Sequence, residues 1–437
     1  MKFTALFTTT CLIILMPSSS EGHENHTHPE ADKSPEKPIT RTATQWIKVG
    51  NALMQEARNT LSHDFSEAGA AYTQALKLEP ENSDAMLGMA WVANSNHDFK
   101  AGKKWCEKVI AVSPKQVDAY SLMGDGAVEK GQYDEAFQHY QSALDIRVDL
   151  STLSRSSHLV WITGNSMKAR QLMMKAIKSG GPHPENTAWC RAELALMLLH
   201  DGAIPSAQKE AETAVLTAPK NPRALYAAAK VKIALKKYEN AIVILERSLS
   251  IRKTHDAMAT LVKLYGLVDN DEKKKAMTQQ LIAFHQTGHQ HADHHDHDHS
   301  HDHGHSHSDV GSSQFAKFLA DENLDLDLAL KQAELAYENF PNVYSADALA
   351  WCHFKKGDFK KATLYSRRSL AQQTPDASLH FHAGIIAEKS NQPSLARKHI
   401  SAALSMNPMF DPVDAAEARA AMARIAASQK SEPAPKK

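Results

Sequence analysis

The sequence predicts an all-α protein: a right-handed helical solenoid built from antiparallel helix pairs and interrupted by a disordered histidine-rich loop. Three observations predict it. Gly and Pro are sparse, 18 of each in 437 residues, so little breaks a helix. Apolar residues recur at the i, i+3, i+4, i+7 spacing of one helical face. One pattern of small and bulky residues also returns along the chain, which marks stacked repeats rather than one globular core.

The pattern is clearest from Val117 onward. Val117, Asp118, Ala119 and Tyr120 lead to Met123-Gly124 and Ala127, a turn at Gly131-Gln132-Tyr133, then Ala136, Tyr140, Ala143-Leu144 and Ile146. It appears earlier in Met86, Met89-Ala90, Ala93, Phe99, Gly102, Cys106, Val109 and Pro114. It appears last in Ala383-Gly384, Ala387, Ala396, Ile400, Ala403-Leu404 and Pro408. Small residues such as Gly124, Ala136 and Ala143 fit where two helix backbones approach. Gly131, Gly164, Gly202 and Gly357 are placed to end the first helix of a pair in the left-handed conformation. Pro80, Pro114, Pro219, Pro341 and Pro408 stop the second.

In chain order, residues 1–20 read as a signal peptide: Lys2, an apolar stretch over 3–16, then Pro17 and three serines. The apolar stretch is short for a membrane span. Cys11 lies inside it without a lipobox context, so no lipid anchor is expected. Residues 21–41 form a linker. A first repeat block covers 42–287, with units starting near Trp46, Ser83, Val117, Leu150, Ala188, Pro222 and His255. The loop occupies 288–312. A second block covers 313–427, its three units starting near Gly311, Val343 and Ala377, and 413–427 forms a capping helix. That makes about ten units. The tail 428–437 is rich in Pro and Lys and reads as disordered.

From about 46 to 427 the chain resembles the tetratricopeptide-repeat superfamily. Two stretches are similar to exported, largely uncharacterised bacterial members. One contains Ser154-Arg155-Ser156-Ser157-His158-Leu159, Trp161, Thr163-Gly164-Asn165, Gly180-Gly181-Pro182 and Thr187-Ala188-Trp189. The other is Tyr344-Ser345-Ala346-Asp347-Ala348-Leu349-Ala350-Trp351. The resemblance implies a solenoid that holds a protein partner in its concave groove. Trp91, Asp125, His158 and Trp351 stand at first-helix positions that often face such a groove; ordinary packing between repeats is the alternative reading. The histidine-rich insert is a departure from that subgroup.

Ten of the nineteen residues from His289 to His307 are histidine: His289, His291, His294, His295, His297, His299, His301, His303, His305 and His307. Asp293, Asp296, Asp298 and Asp302 are interspersed. Such a composition builds no core. Neutral imidazole ligates zinc (Zn2+), nickel (Ni2+) and copper (Cu2+), and carboxylates add oxygen donors. Pairs two apart in an extended chain, or four apart in a helical turn, give overlapping chelates, so several exchangeable ions are expected and no obligatory cofactor. Acidification below about pH 6 protonates the rings and releases metal. The alternative is a polar linker with no metal role. Cleavage after Ser20 would leave a free amine followed by His23 at the third position, a square-planar Cu2+ or Ni2+ site; His26 and His28 follow it.

Composition narrows the function class. Lys plus Arg equals Asp plus Glu, 50 each, which gives no electrostatic case for nucleic acid. The sequences GxSxG, HExxH and Walker A are missing, and Ser179-Gly180-Gly181-Pro182 reads as a turn between repeats. Cys106, Cys190 and Cys352 read as small buried helix residues. His353 is expected to pack within its repeat, His380 and His382 as packing or surface residues, and Lys273-Lys274-Lys275 as a solvated face. An enzyme is the poorest fit.

Overall fold

The computed structural model describes residues 41–60, 64–181, 183–287 and 311–431. Among them the chain is all helix: ten antiparallel pairs and a final single helix. The pairs are α1 (Ala43–Thr60) and α2 (Ser66–Leu78), α3 (Ser83–Ser95) and α4 (Phe99–Val112), α5 (Val117–Glu129) and α6 (Tyr133–Ile146). Next come α7 (Leu150–Ile162) and α8 (Ser166–Ser179), α9 (Pro184–His200) and α10 (Ile204–Thr217), α11 (Pro222–Ala234) and α12 (Tyr238–Ile251). Then follow α13 (His255–Leu267) and α14 (Asp271–Thr287), α15 (Ser313–Asp321) and α16 (Leu326–Asn339), α17 (Val343–Lys355) and α18 (Phe359–Ser369), α19 (Ala377–Lys389) and α20 (Pro393–Met406). The last helix is α21 (Pro412–Ser431).

The breaks between helices have local causes. Helices α2, α4, α10, α16 and α20 each stop two residues before one of the five prolines named above. A residue preceding proline is pushed out of the helical region, and the proline has no N–H to continue the ladder. In the nine pairs after the first, the chain between the two helices turns on one left-handed residue, the second after the first helix ends. Gly131, Gly164, Gly202 and Gly357 hold that place, with φ between 66° and 93°. In the other pairs it falls to His97, Lys236, Asp269, Asn323 and Asn391. Caps supply the starts: the Asn82, Asn221 and Asn342 side chains each accept two backbone N–H groups of the following turn.

The chain forms two compact units that divide at Met123 and Gly124, inside α5. In the first, the Tyr72 ring fills the space that glycines leave at Gly50 and Gly88; a Cβ at Gly88 would lie 2.3 Å from it. Around it Met54, Ala75, Ala90, Cys106 and Val109 are fully buried. In the second, Tyr140 meets Gly124 in the same way.

Within the unit from Gly124 onward, first and second helices of a pair are buried unequally. Helix α11 buries every residue from Arg223 to Val231, whereas α12 buries Ala241, Ile242, Leu245 and Ser248 along one face. The first helices are therefore inside and carry polar groups there. The unit also closes on itself between residues over two hundred positions apart. The Asn342 amide donates to the Glu129 carbonyl (3.2 Å), and the Val343 N–H to Tyr133 Oη (3.1 Å). Lys130 Nζ donates to the Asn339 carbonyl (2.7 Å). One pair along, Thr374 donates to the Ile162 carbonyl. One pair further, the Asn407 amide reaches the Leu199 carbonyl (2.6 Å). Gly131, Gly164 and Gly202 lie at this seam, where an added Cβ would meet the carbonyl oxygens of Pro341 (2.5 Å), Gln372 (3.0 Å) and Met406 (3.0 Å).

Candidate functional site

The inward faces of the first helices, from Gly124 onward, carry paired charges. Asp125 on α5 accepts from Tyr140 Oη (2.7 Å) and from Arg155 Nε on α7 (3.0 Å). Glu193 on α9 makes a two-pronged pair with Arg223 on α11, which also faces Asp256 on α13 at 3.7 Å. A charge from one first helix thus meets a charge thirty residues on, in the next. All five groups are buried, so each pair offsets a desolvation cost that neither member could bear alone.

Further along, a five-membered network runs through α15, α17 and α19. The Asp347 carboxylate holds His382 Nδ1 at 2.9 Å, and His382 Nε2 lies 2.9 Å from Lys317 Nζ. Trp351 stacks on the His382 ring at 4.3 Å and donates its Nε1 to Asp321 at 2.8 Å. Lys263 on α13 is ringed by Asp411 (3.2 Å), Asp414 (3.6 Å) and Asp321 (3.9 Å).

These contacts locate the residues read from the sequence as groove contacts. Trp91 is buried in the core of the first unit. Asp125 and Trp351 are buried and hydrogen-bonded as described, and His158 is buried on α7. Burial, and then the Arg223 guanidinium, push His158 down to about 3, so it is neutral at ordinary pH. His353 stacks on Tyr365 within its own pair (5.7 Å). His382 is buried in its network, whereas His380 faces His399 (3.0 Å). Lys273 and Lys275 are exposed, but Lys274 is half-buried and paired with Glu322 at 2.8 Å. Cys106, Cys190 and Cys352 are buried and form no disulfide among the described residues.

The metal candidates His289 to His307, their four aspartates, and His23 lie outside the described residues. Among the described residues, no three His, Cys, Asp or Glu side chains converge as a metal seat. The helices flanking the insert nonetheless pack on each other. His285, near the end of α14, stacks on Phe315 of α15 at 4.4 Å, and Leu281 joins the same core cluster as Phe315. His285 Nε2 also lies 2.7 Å from His255 Nδ1. Sequence reading missed this histidine pair and the buried charge pairs. A charged helix residue is read by default as exposed, and no periodicity reveals a partner thirty residues away.

A family model described as tetratricopeptide repeat matches residues 60–125, and another of the same description matches 222–255. Cellulose synthase operon protein C of Pseudomonas fluorescens is 24% identical over 251 residues, covering 55% of this chain and 19% of that one. The formate-dependent nitrite reductase complex subunit NrfG of Escherichia coli is 24% identical over 109 residues, covering 24% of this chain and 52% of that one. The chain thus spans about a fifth of the first relative's length and about half of the second's. Among solved structures, the human IFIT1 dimer with m7Gppp-AAAA aligns with a TM-score of 0.51 at 15% identity, covering 78% of this chain and 73% of that one. That likeness is one of fold.

Proposed function

We propose that this chain, which belongs to the tetratricopeptide-repeat superfamily, is an exported, non-enzymatic scaffold that binds a protein partner and carries exchangeable transition-metal ions on its histidine-rich insert. Stacked helix pairs expose extended surfaces of the kind that suit partner binding. The density of histidine between 289 and 307 carries the metal reading. Ten imidazoles within nineteen residues offer more nitrogen donors than one ion can use, so zinc, nickel or copper would bind at several overlapping positions. Export rests on the first twenty residues of the sequence. No helix among the described residues is long and apolar enough to cross a membrane.

The test is calorimetric titration of the protein with zinc, nickel and copper, beside a variant lacking 288–309. The expected result is multi-site binding at about pH 7.5 that is lost in the variant and weakened at about pH 5.5, where imidazole protonates. Equal binding by both proteins would leave the insert a polar linker and the chain a plain interaction scaffold.

A further inference from the structure

A cavity of about 70 Å³ lies among α11, α13, α15, α19 and the start of α21. One water takes roughly 10–15 Å³ on this measure, so the space suits about five to seven heavy atoms. Lys230 of α11 lines it and is only 6% exposed. Among the described residues Lys230 makes no hydrogen bond and no ion pair. A buried ammonium left so costs several kcal/mol unless something compensates it.

The surrounding carboxylates are committed elsewhere. Asp411 accepts from Lys263 and from the backbone N–H groups of Val413 (3.0 Å) and Asp414 (3.1 Å). Asp256 faces Arg223, Asp321 pairs with Lys317 at 3.6 Å, and Glu322 pairs with Lys274. Asp414 leans on the already shared Lys263. Among the described residues Lys230 is thus the cation of this cavity with no carboxylate in ion-pair contact, although the nearby Asp411, Asp256 and Asp414 charges favour its ammonium form. The remaining wall is apolar, formed by Ile233, Ala259, Leu264, Phe318 and Pro412. Five carboxylates nearby disfavour a dianion; one negative charge on a short apolar body fits both the lysine and the wall.

We propose that this cavity binds a small aliphatic monocarboxylate, its carboxylate on Lys230 Nζ and its hydrocarbon end against Phe318 and Ile233. Burial draws Lys230 below the ordinary lysine range, and the bound anion would favour its charged form. The site is independent of the histidine-rich insert and of any protein partner, so either reading can fail without the other.

The experiment uses the full chain, stripped of metal, with butyrate as the probe, butyramide as its neutral counterpart and inorganic phosphate as the alternative anion. Butyrate is expected to raise the melting temperature and to titrate calorimetrically as one site. Butyramide is expected to do neither, and phosphate to bind at least about tenfold more weakly than butyrate. Lys230→Met should melt higher than the parent without ligand and lose butyrate affinity by at least about tenfold. Equal responses to butyrate and butyramide, phosphate binding as well as butyrate, undiminished binding by Lys230→Met, or no response in the parent would each overturn the proposal. The comparison among ligands needs no variant and stands even if Lys230→Met fails to fold.

Discussion

At the scale of single residues, the left-handed turn position separates what glycine advertises from what it does not. Gly131, Gly164, Gly202 and Gly357 are legible in the sequence because glycine after a helix has a known use. The same conformation at Lys236, with φ 57°, leaves no such mark. A side chain there costs roughly 1 kcal/mol, so Lys236→Gly should stabilise the chain by about that much in denaturant unfolding. No gain would mean that the lysine makes a compensating contact. The four glycines are also unequal. Alanine at Gly357 meets nothing within 4 Å, whereas at Gly131 it meets the Pro341 carbonyl. Gly357→Ala should cost only the conformational penalty, and Gly131→Ala clearly more.

Glu129 gives the clearest pH prediction at this scale. Burial, then the nearby Asp125 charge, raise its carboxyl from an ordinary 4.5 to about 8. Between those values the folded chain keeps a proton that the unfolded chain releases. Glu129 therefore favours folding below pH 4.5, and stability falls as pH rises toward 8. Glu129→Gln should match the parent at about pH 4 and melt higher at about pH 9. Superimposable melting profiles across that range would show that Glu129 ionises freely in the folded chain.

At the scale of elements, turn glycines, prolines and small residues are readable because each acts within a few positions of itself. Prolines stop five helices two residues early, and an aspartate or asparagine side chain caps the start of several, as at Asp98, Asp325 and Asn342. The buried charge pairs act between elements, and nothing local in the sequence marks Asp125, Arg155, Glu193 and Arg223 as one another's partners. Pairing makes them interdependent. Arg223→Met strands Glu193 and Asp256 in the interior and should destabilise by about 3–5 kcal/mol. Adding Glu193→Met should restore a large part of that loss, because two apolar side chains replace two charges. Denaturant midpoints of the two single variants and the double variant decide it: strict additivity would mean that the ion pair carries no coupling.

At the scale of the whole molecule, an insert and a seam decide how the repeats cooperate. The insert follows Thr287, yet Phe315 of α15 still stacks on His285 of α14. Removing 288–309 should therefore leave the melting temperature of the metal-free protein nearly unchanged while removing metal binding. The seam works in the opposite direction. An open array gains stability from adjacent repeats and can unfold from one end. Here Asn342, Thr374 and Asn407 join backbone carbonyls 213, 212 and 208 residues earlier, so late repeats stabilise early ones directly. Unfolding α15 to α20 alone would leave those carbonyls without their partners, which links the two regions in one transition. Replacing the three side chains together, as Asn342→Ala, Thr374→Val and Asn407→Ala, should split that cooperativity. Hydrogen exchange should then show α15 to α20 opening at lower free energy than α7 to α13, whereas the parent opens both together. Uniform exchange in the triple variant would place the coupling in the apolar core instead.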